Sequence, residues 1–399
     1  MHGLTVDANP AVTTDPAILS YAAADVGGAD QPAPGARKAL LLLLAINLFN
    51  YIDRQILSAV EEPISREFGV SQGKMGTLMT AFLLTYMVVS PVFGWLADRV
   101  SRWLLIGVGV IVWSLASGGS GLATTFGALF LMRCLIGVGE GAYGPVAPTV
   151  ISDLYPVAVR GKVLSWFYVA IPVGSALGYV FGGLFAAPGK WHWAFLMTIP
   201  PGILLGVLCF FMRERRGGGR PGAAVADAPA RRATAADYKR LLRNRSYVLN
   251  CLAMTALTFA LGGIAFFMPR YLSTAKGIPL GQANFWFGAV TAAAGLVATL
   301  AGGMAGDALR KRFGGAYFLV SAAGMLAGFP LFLAMLYATS PWAIWTLIFL
   351  AVFCLFFNTG PSNTALANVT HPSIRATAFA ANIFVIHALG DAISPWVIG

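Results

Sequence analysis

Charge is scarce in this chain. Of 399 residues, 16 are acidic and 27 are Lys or Arg, so 11% are charged while 57% are hydrophobic. An ordinary soluble domain carries about 25% charged residues, and a mean hydropathy of +0.72 excludes that class. Cysteine and histidine are equally sparse, four of each. Cys134, Cys209, Cys251 and Cys354 all lie in apolar windows, with neither disulfide nor metal-ligand spacing. They are expected to be packing residues, and no metal or cofactor is expected. The start of the chain has no basic segment followed by an apolar core and cleavage site, so a signal peptide is not expected. Residues 1–38 are polar and rich in Ala, Gly and Pro, and are expected to form a disordered cytoplasmic tail ending at Arg37-Lys38.

What is present is apolar length. Windows of about 20 apolar residues, each long enough to cross a core of roughly 30 Å, recur throughout. The expectation is an all-α membrane protein with spans near 39–60, 75–97, 103–122, 126–149, 161–187 and 193–212, then 246–272, 283–306, 314–338, 342–369 and 376–399. This gives an N-terminal bundle over 39–212, a linker over 213–245 and a C-terminal bundle over 246–399. The net charge of +11 does not imply nucleic acid, because the basic residues collect in short segments between the apolar runs. With the N-terminus inside, Arg99, Arg102, Arg160, Lys162, Arg310, Lys311, Arg312, Arg375 and the linker cations all fall on the cytoplasmic side, as the positive-inside rule requires. The implied partners are the lipid bilayer, a small molecule and protons.

Asn50-Tyr51-Ile52-Asp53-Arg54 stands out in the first span. A charge at such depth costs about 3 kcal/mol on insertion scales unless it is paired or faces a cavity. Neighbouring helical residues point about 100° apart, so Asp53 and Arg54 each need a partner on another helix. The alternative is a purely structural ion pair.

Two internal echoes decide the architecture. Gly94-Trp95-Leu96-Ala97-Asp98-Arg99-Val100-Ser101-Arg102 follows the second span, and Gly303-Met304-Ala305-Gly306-Asp307-Ala308-Leu309-Arg310-Lys311 follows the eighth. Pro156 to Gly161 before the fifth span is likewise matched by Pro372 to Ala376 before the eleventh. Matched signals in matched loops imply two similar six-helix halves.

The Gly94–Arg102 loop resembles the signature of the major facilitator superfamily. Asn50–Arg54, Arg133–Tyr143, Ala147-Pro148-Thr149, Phe167–Ser175 and His387–Pro395 resemble its spinster branch. The resemblance implies the major facilitator fold of two pseudo-symmetric six-helix bundles, with Gly94, Asp98, Arg99, Arg102 and Asp307 at a cytoplasmic gate. Turn and helix-cap chemistry is the plain alternative for Asp98. Ala308 replaces the arginine of the first copy, so only the first copy is expected to form a strong latch. Shifting the sixth span by the repeat offset puts a twelfth near 402–421, beyond Gly399, and the sequence is expected to be cut short relative to the natural gene product.

Asp53 lies about 13 residues into span one from inside, and Arg133 about 7 residues into span four from outside. At 1.5 Å per residue these depths coincide. Since spans one and four line the cavity in the superfamily, an Asp53–Arg133 pair or a network including Arg54 is expected. Glu140, two turns from Arg133 on the same face, reads as a second proton or substrate station, or as a helix-end acid. Gly137, Gly139, Gly141 and Gly144, with Gly174, Gly178 and Gly182, permit close helix approach. His387 and Asp391 share one face of span eleven, either in the cavity or bonded at the bundle interface. Tyr51, Tyr86, Tyr143 and Phe356 are expected in an aromatic cavity wall. A few charges in an apolar wall suit an amphipathic anion. The expected function is proton-coupled transport of a lysophospholipid-like or sphingoid-phosphate-like anion by alternating access, by a monomer in a bacterial inner membrane. A carrier of a more polar anion or a drug is the alternative. A membrane enzyme would need a nucleophile and base clustered at one depth, which the sequence does not offer.

Overall fold

The helices begin where small hydroxyl side chains can cap them. Ser71, Ser101 and Thr125 accept bonds from the backbone N–H three residues on, and Thr234 forms a reciprocal cap with Asp237. The computed structural model describes residues 31–185, 189–215, 234–391, 393, 394 and 397. Most of the expected tail and the middle of the linker lie outside the described residues. In order, the helices are α1 (Ala36–Ala59), α2 (Glu61–Phe68), α3 (Gln72–Ala97), α4 (Arg102–Ser120), α5 (Phe126–Gly141), α6 (Ala147–Leu154), α7 (Val157–Gly183), α8 (Trp191–Leu196) and α9 (Ile199–Cys209). They continue with α10 (Ala235–Arg243), α11 (Arg245–Lys276), α12 (Leu280–Arg310), α13 (Ala316–Tyr337), α14 (Pro341–Phe356), α15 (Thr359–Asn368) and α16 (Arg375–Ile386), followed by a π-type turn at His387–Asp391. The fold is an all-α membrane protein.

Ten stretches among the described residues are long and apolar enough to cross a membrane. The expected fourth span, 126–149, is not one continuous helix. It breaks over residues 142–146 into α5 and α6, because Pro145 has no N–H and disfavours helix in the residue before it. The expected tenth span breaks at Phe357–Asn358. There Pro361 offers no N–H to the Phe357 carbonyl four residues back. That carbonyl lies where a Cβ on Gly302 of α12 would sit, so the glycine makes room for it. α1 begins at Ala36, ahead of the expected end of the tail at residue 38, since Gly35 turns the chain with φ +84°.

In the first half, α7 lies along α1 through Gly174, Gly178 and Gly182, whose missing side chains admit Tyr51, Ile52, Gln55 and Ala59. α5 sits between α3 and α4. Gly137 meets the backbone of Phe82 and Tyr86, and Gly139 meets Gly109 and Trp113.

The halves meet along two symmetry-related crossings, α3 on α16 and α7 on α12, with α15 also on α7. Both crossings are closest where the chain carries Arg99–Arg102, Arg160, Arg310–Arg312 and Arg375, the basic face of the molecule. A Cβ at Gly94 would collide with Ala380 and with the Ala376 carbonyl, and one at Gly303 with Ser165 and the Gly161 carbonyl. The repeated glycine therefore marks the two places where the halves touch backbone to backbone.

Gly94→Ala and Gly303→Ala should each destabilise the protein by about 1–3 kcal/mol, the usual cost of overpacking. Gly183→Ala, where an added Cβ meets nothing within 4 Å, should not. Thermal unfolding in one detergent checks this; equal shifts at all three positions would refute it.

Candidate functional site

Two sites emerge, one at the basic face and one in the middle of the first bundle. At the basic face Asp98, just beyond α3, accepts from the backbone N–H of Ala376 (3.0 Å) and of Thr377 (2.9 Å) and from the Thr377 hydroxyl (2.6 Å). It therefore caps α16, a helix of the other half, and meets the positive end of that helix's dipole. Asp307 does the same for α7, accepting from Gly161 N (3.0 Å), Lys162 N (2.7 Å) and the Tyr317 hydroxyl (2.6 Å). The expectation that only the first copy forms a strong set of bonds is corrected here. The work is done by the aspartate and the facing backbone, so Ala308 in place of an arginine costs the second copy little. Arg99 lies over the Trp95 ring at 3.9 Å and donates to the Trp95 carbonyl (2.8 Å) and the Tyr238 hydroxyl (3.2 Å).

Arg102 reaches the other way, to Asp153 (2.7 Å) and Glu214 (2.8 Å). Asp153 also pairs with Arg375 of the second half. Sequence reasoning missed Asp153. The available signal was that it is the lone acid between Glu140 and Glu214, at the end of an apolar stretch where an unpaired carboxylate is costly. Burial pushes its carboxyl up, but the Arg102 and Arg375 guanidiniums outweigh that and hold it below the usual range.

In the first bundle, Arg54 pairs with Glu140 (2.5 Å), the two side chains being 21% and 1% exposed. The guanidinium also stands over the rings of Tyr51, Phe82 and Tyr86 at 5.0–5.2 Å. Asp53 accepts from Ser117 of α4. The expected Asp53–Arg133 ion pair is absent. Arg133 lies over Phe195 at 5.3 Å, and its Nε and Nη2 are buried without a hydrogen-bond partner. It is nevertheless within electrostatic range of Asp53 and Glu140.

The physical reason is side-chain direction. Helical side chains lean toward their helix N-terminus, which for α1 is the basic face and for α5 the opposite one. Matching depths of Cα atoms therefore carry Asp53 and Arg133 apart, while Arg54 and Glu140 converge. Glu140 also ends α5, where the helix dipole disfavours an acid, which adds to its need for a cation. Its Oε1 and the nearby Asn50 Nδ2 are buried and unpaired.

Around this cluster Tyr143 donates to the Leu43 carbonyl (3.1 Å) and packs edge-on against Trp113. Tyr168 of α7 donates to Asn363 of α15 (2.8 Å), a bond between the halves. The His387 ring meets Tyr86 edge-on at 5.6 Å, so the second half also reaches the Arg54 cluster. The Asp391 side chain lies outside the described ones. Phe356 packs near Gly295 and Pro172, where α12 meets α7. Trp166, also expected in the wall, is 48% exposed on the outer surface of the bundle.

The Major Facilitator Superfamily model matches residues 43–395. Protein spinster homolog 3 of Danio rerio is 37% identical over 379 residues, covering 90% of this chain and 76% of the relative. The chain belongs to the spinster branch of the major facilitator superfamily. It is a multi-pass membrane transporter and not an enzyme. The Danio rerio protein named Sphingosine-1-phosphate transporter SPNS2 is 34% identical over 373 residues, covering 88% of this chain and 73% of its own. A solved bacterial homolog of the human lysosomal transporter spinster, in an inward-facing and unoccupied conformation, shares the fold with a TM-score of 0.65. It is 22% identical and covers 91% of this chain and 81% of that one.

Two outcomes follow for this spinster-type chain. Burial pushes the Asp98 carboxyl up to about 6, against the pull of its bonds to Thr377 and Ala376, whereas an Asp98 released to water titrates near 3.9. The closed basic face thus binds the proton more tightly. Lowering the pH from about 6 to 4 should favour closure, and raising it through that window should weaken closure. Spin-label distances between the facing ends of α3 and α16 measure this, and Asp98→Asn should remove the dependence. Separately, Glu140→Gln leaves Arg54 without its counter-charge and should lower stability by about 3–5 kcal/mol, whereas Glu62→Gln, in an exposed pair with Arg66, should change the melting temperature little.

Proposed function

We propose that this chain is a proton-coupled secondary transporter of an amphipathic organic anion, of the lysophospholipid or sphingoid-phosphate class. It works by alternating access, as a monomer in a bacterial inner membrane with its N-terminus and basic face in the cytoplasm. The observation that carries the reading is Arg133, a buried guanidinium with two open donors. It lies within electrostatic range of Asp53 and Glu140 in a bundle whose other groups are largely aromatic. A phosphate head satisfies such donors, and an alkyl tail suits the rings of Tyr51, Phe82, Tyr86 and Phe356. The relative named for sphingosine-1-phosphate transport fits the same ligand chemistry.

In this mechanism Asp53 and Glu140 compete with the substrate for Arg133 and Arg54. Protonating Asp53 removes a negative charge near Arg133 and leaves that cation to the anion. Loss of the proton returns the attraction to Asp53 and expels the substrate. His387 and Asp391 bring the second half to the same cavity, so occupancy is felt by both bundles. Asp98 and Asp307 act as the cytoplasmic gate with Gly94, Arg99 and Arg102, and release α16 and α7 when the molecule opens inward.

Uptake of a lysophospholipid or a sphingoid phosphate into proteoliposomes, with and without a pH gradient, tests this. Asp53→Asn should keep substrate binding and lose gradient-driven transport, while Arg133→Ala should lose both. Full gradient-driven uptake by Asp53→Asn would end the coupling mechanism, and transport of a sugar phosphate in preference to the lipids would end the substrate assignment.

A further inference from the structure

Away from the central site, a cavity of about 280 Å³ opens at the basic face where α1 begins and the chain leaves α9. Lys38, Arg213 and Arg215 line it together with the Trp103 indole and Phe211, and no acid does. Among the described residues none of these three cations has an ion-pair partner. Gly35 and Lys38, at the start of α1, are part of the lining. That first turn has no acidic residue and no capping side chain, so its positive dipole end adds to the cations. On the membrane side the cavity is bordered by apolar surface. Phe211 is 74% exposed, and Leu41, one turn deeper on α1 than Lys38, is 67% exposed.

We infer that this cavity binds the phosphate headgroup of an anionic phospholipid from the leaflet at the basic face. Cations and helix N–H groups answer the phosphate, Trp103 sits at headgroup level, and the acyl chains lie on Phe211 and Leu41. A soluble phosphate would use the cations but would gain nothing from the exposed apolar border. The site also touches the contacts that hold the halves together. The Arg215 carbonyl accepts from Arg102, Arg102 pairs with Asp153, and Asp153 pairs with Arg375. A headgroup on Arg213 and Arg215 orders the chain that holds Arg102, and thereby favours closure of the basic face.

Native mass spectrometry of the purified full chain, titrated with dioleoyl phosphatidylglycerol or dioleoyl phosphatidylcholine, tests the site. The wild type should retain phosphatidylglycerol over phosphatidylcholine. Lys38→Gln/Arg213→Gln/Arg215→Gln should lose that preference by about tenfold or more, and Arg213→Lys/Arg215→Lys should keep it. Lys239→Gln/Arg240→Gln/Arg243→Gln, which removes as many exposed cations from α10, should also keep it. Equal loss in this control would make the binding diffuse electrostatics and overturn the site. Equal retention of the two lipids, or an unchanged preference in the first triple variant, would also overturn it. Displacement of phosphatidylglycerol by glycerol 1-phosphate over the same concentration range would assign the cavity to free phosphate instead.

Discussion

Taking a charge out of water costs several kcal/mol, which only a well-placed opposite charge or a set of hydrogen bonds offsets. In this chain the buried charges inside the helices and at their ends are arranged by that constraint. Arg54 cannot be answered by the adjacent Asp53, so it ties α1 to α5 through Glu140. Arg102 cannot stand alone at the start of α4, so Asp153 ties α4 to α6 and, through Arg375, to the second half. Asp98 and Asp307 find no side-chain cation as their main partner and take the exposed N–H groups of a facing helix instead.

These last two contacts explain why a glycine and an aspartate recur four residues apart in both halves. The aspartate reaches a helix N-terminus across the interface only if the backbones approach closely, and the glycine one turn away permits that approach. Gly161 extends the same logic on the receiving side, since a Cβ there would occupy the position of the Asp307 carboxylate. The two interface sites are thus one device used twice, and each holds the basic face closed by backbone bonds.

The central site lacks that symmetry. Its charges come from α1 and α5 of the first half, while the second half supplies His387, Phe356 and Asn363. A cavity with its ionic chemistry on one wall and aromatic and amide groups on the other suits a ligand with a charged head and an apolar body. Arg133 is the least satisfied group in it. A buried guanidinium with two open donors is a high-energy arrangement in a closed protein and a favourable one when an anion arrives.

Much of this was legible in the chain. Apolar windows, basic loops and the repeated Gly–Asp motif follow from length, hydropathy and spacing, all local properties. They gave the all-α membrane class, and with the resemblance they gave the family. The members of the central cluster, Asp53, Arg54, Arg133 and Glu140, could be named for the same reason, since a charge in an apolar run is visible wherever it lies. What spacing could not supply was direction. Depth counted along Cα atoms matched Asp53 to Arg133, yet antiparallel helices lean their side chains opposite ways, and the pair that forms is Arg54 with Glu140. Nor could it supply the far partners. Asp153 looked like an ordinary helix-end acid until folding brought Arg102 and Arg375 to it across 51 and 222 positions of chain. The sequence by itself determined which residues must have partners, because desolvation acts on each one singly. Only the tertiary structure decided who the partners are, because pairing depends on where separate helices place their side chains.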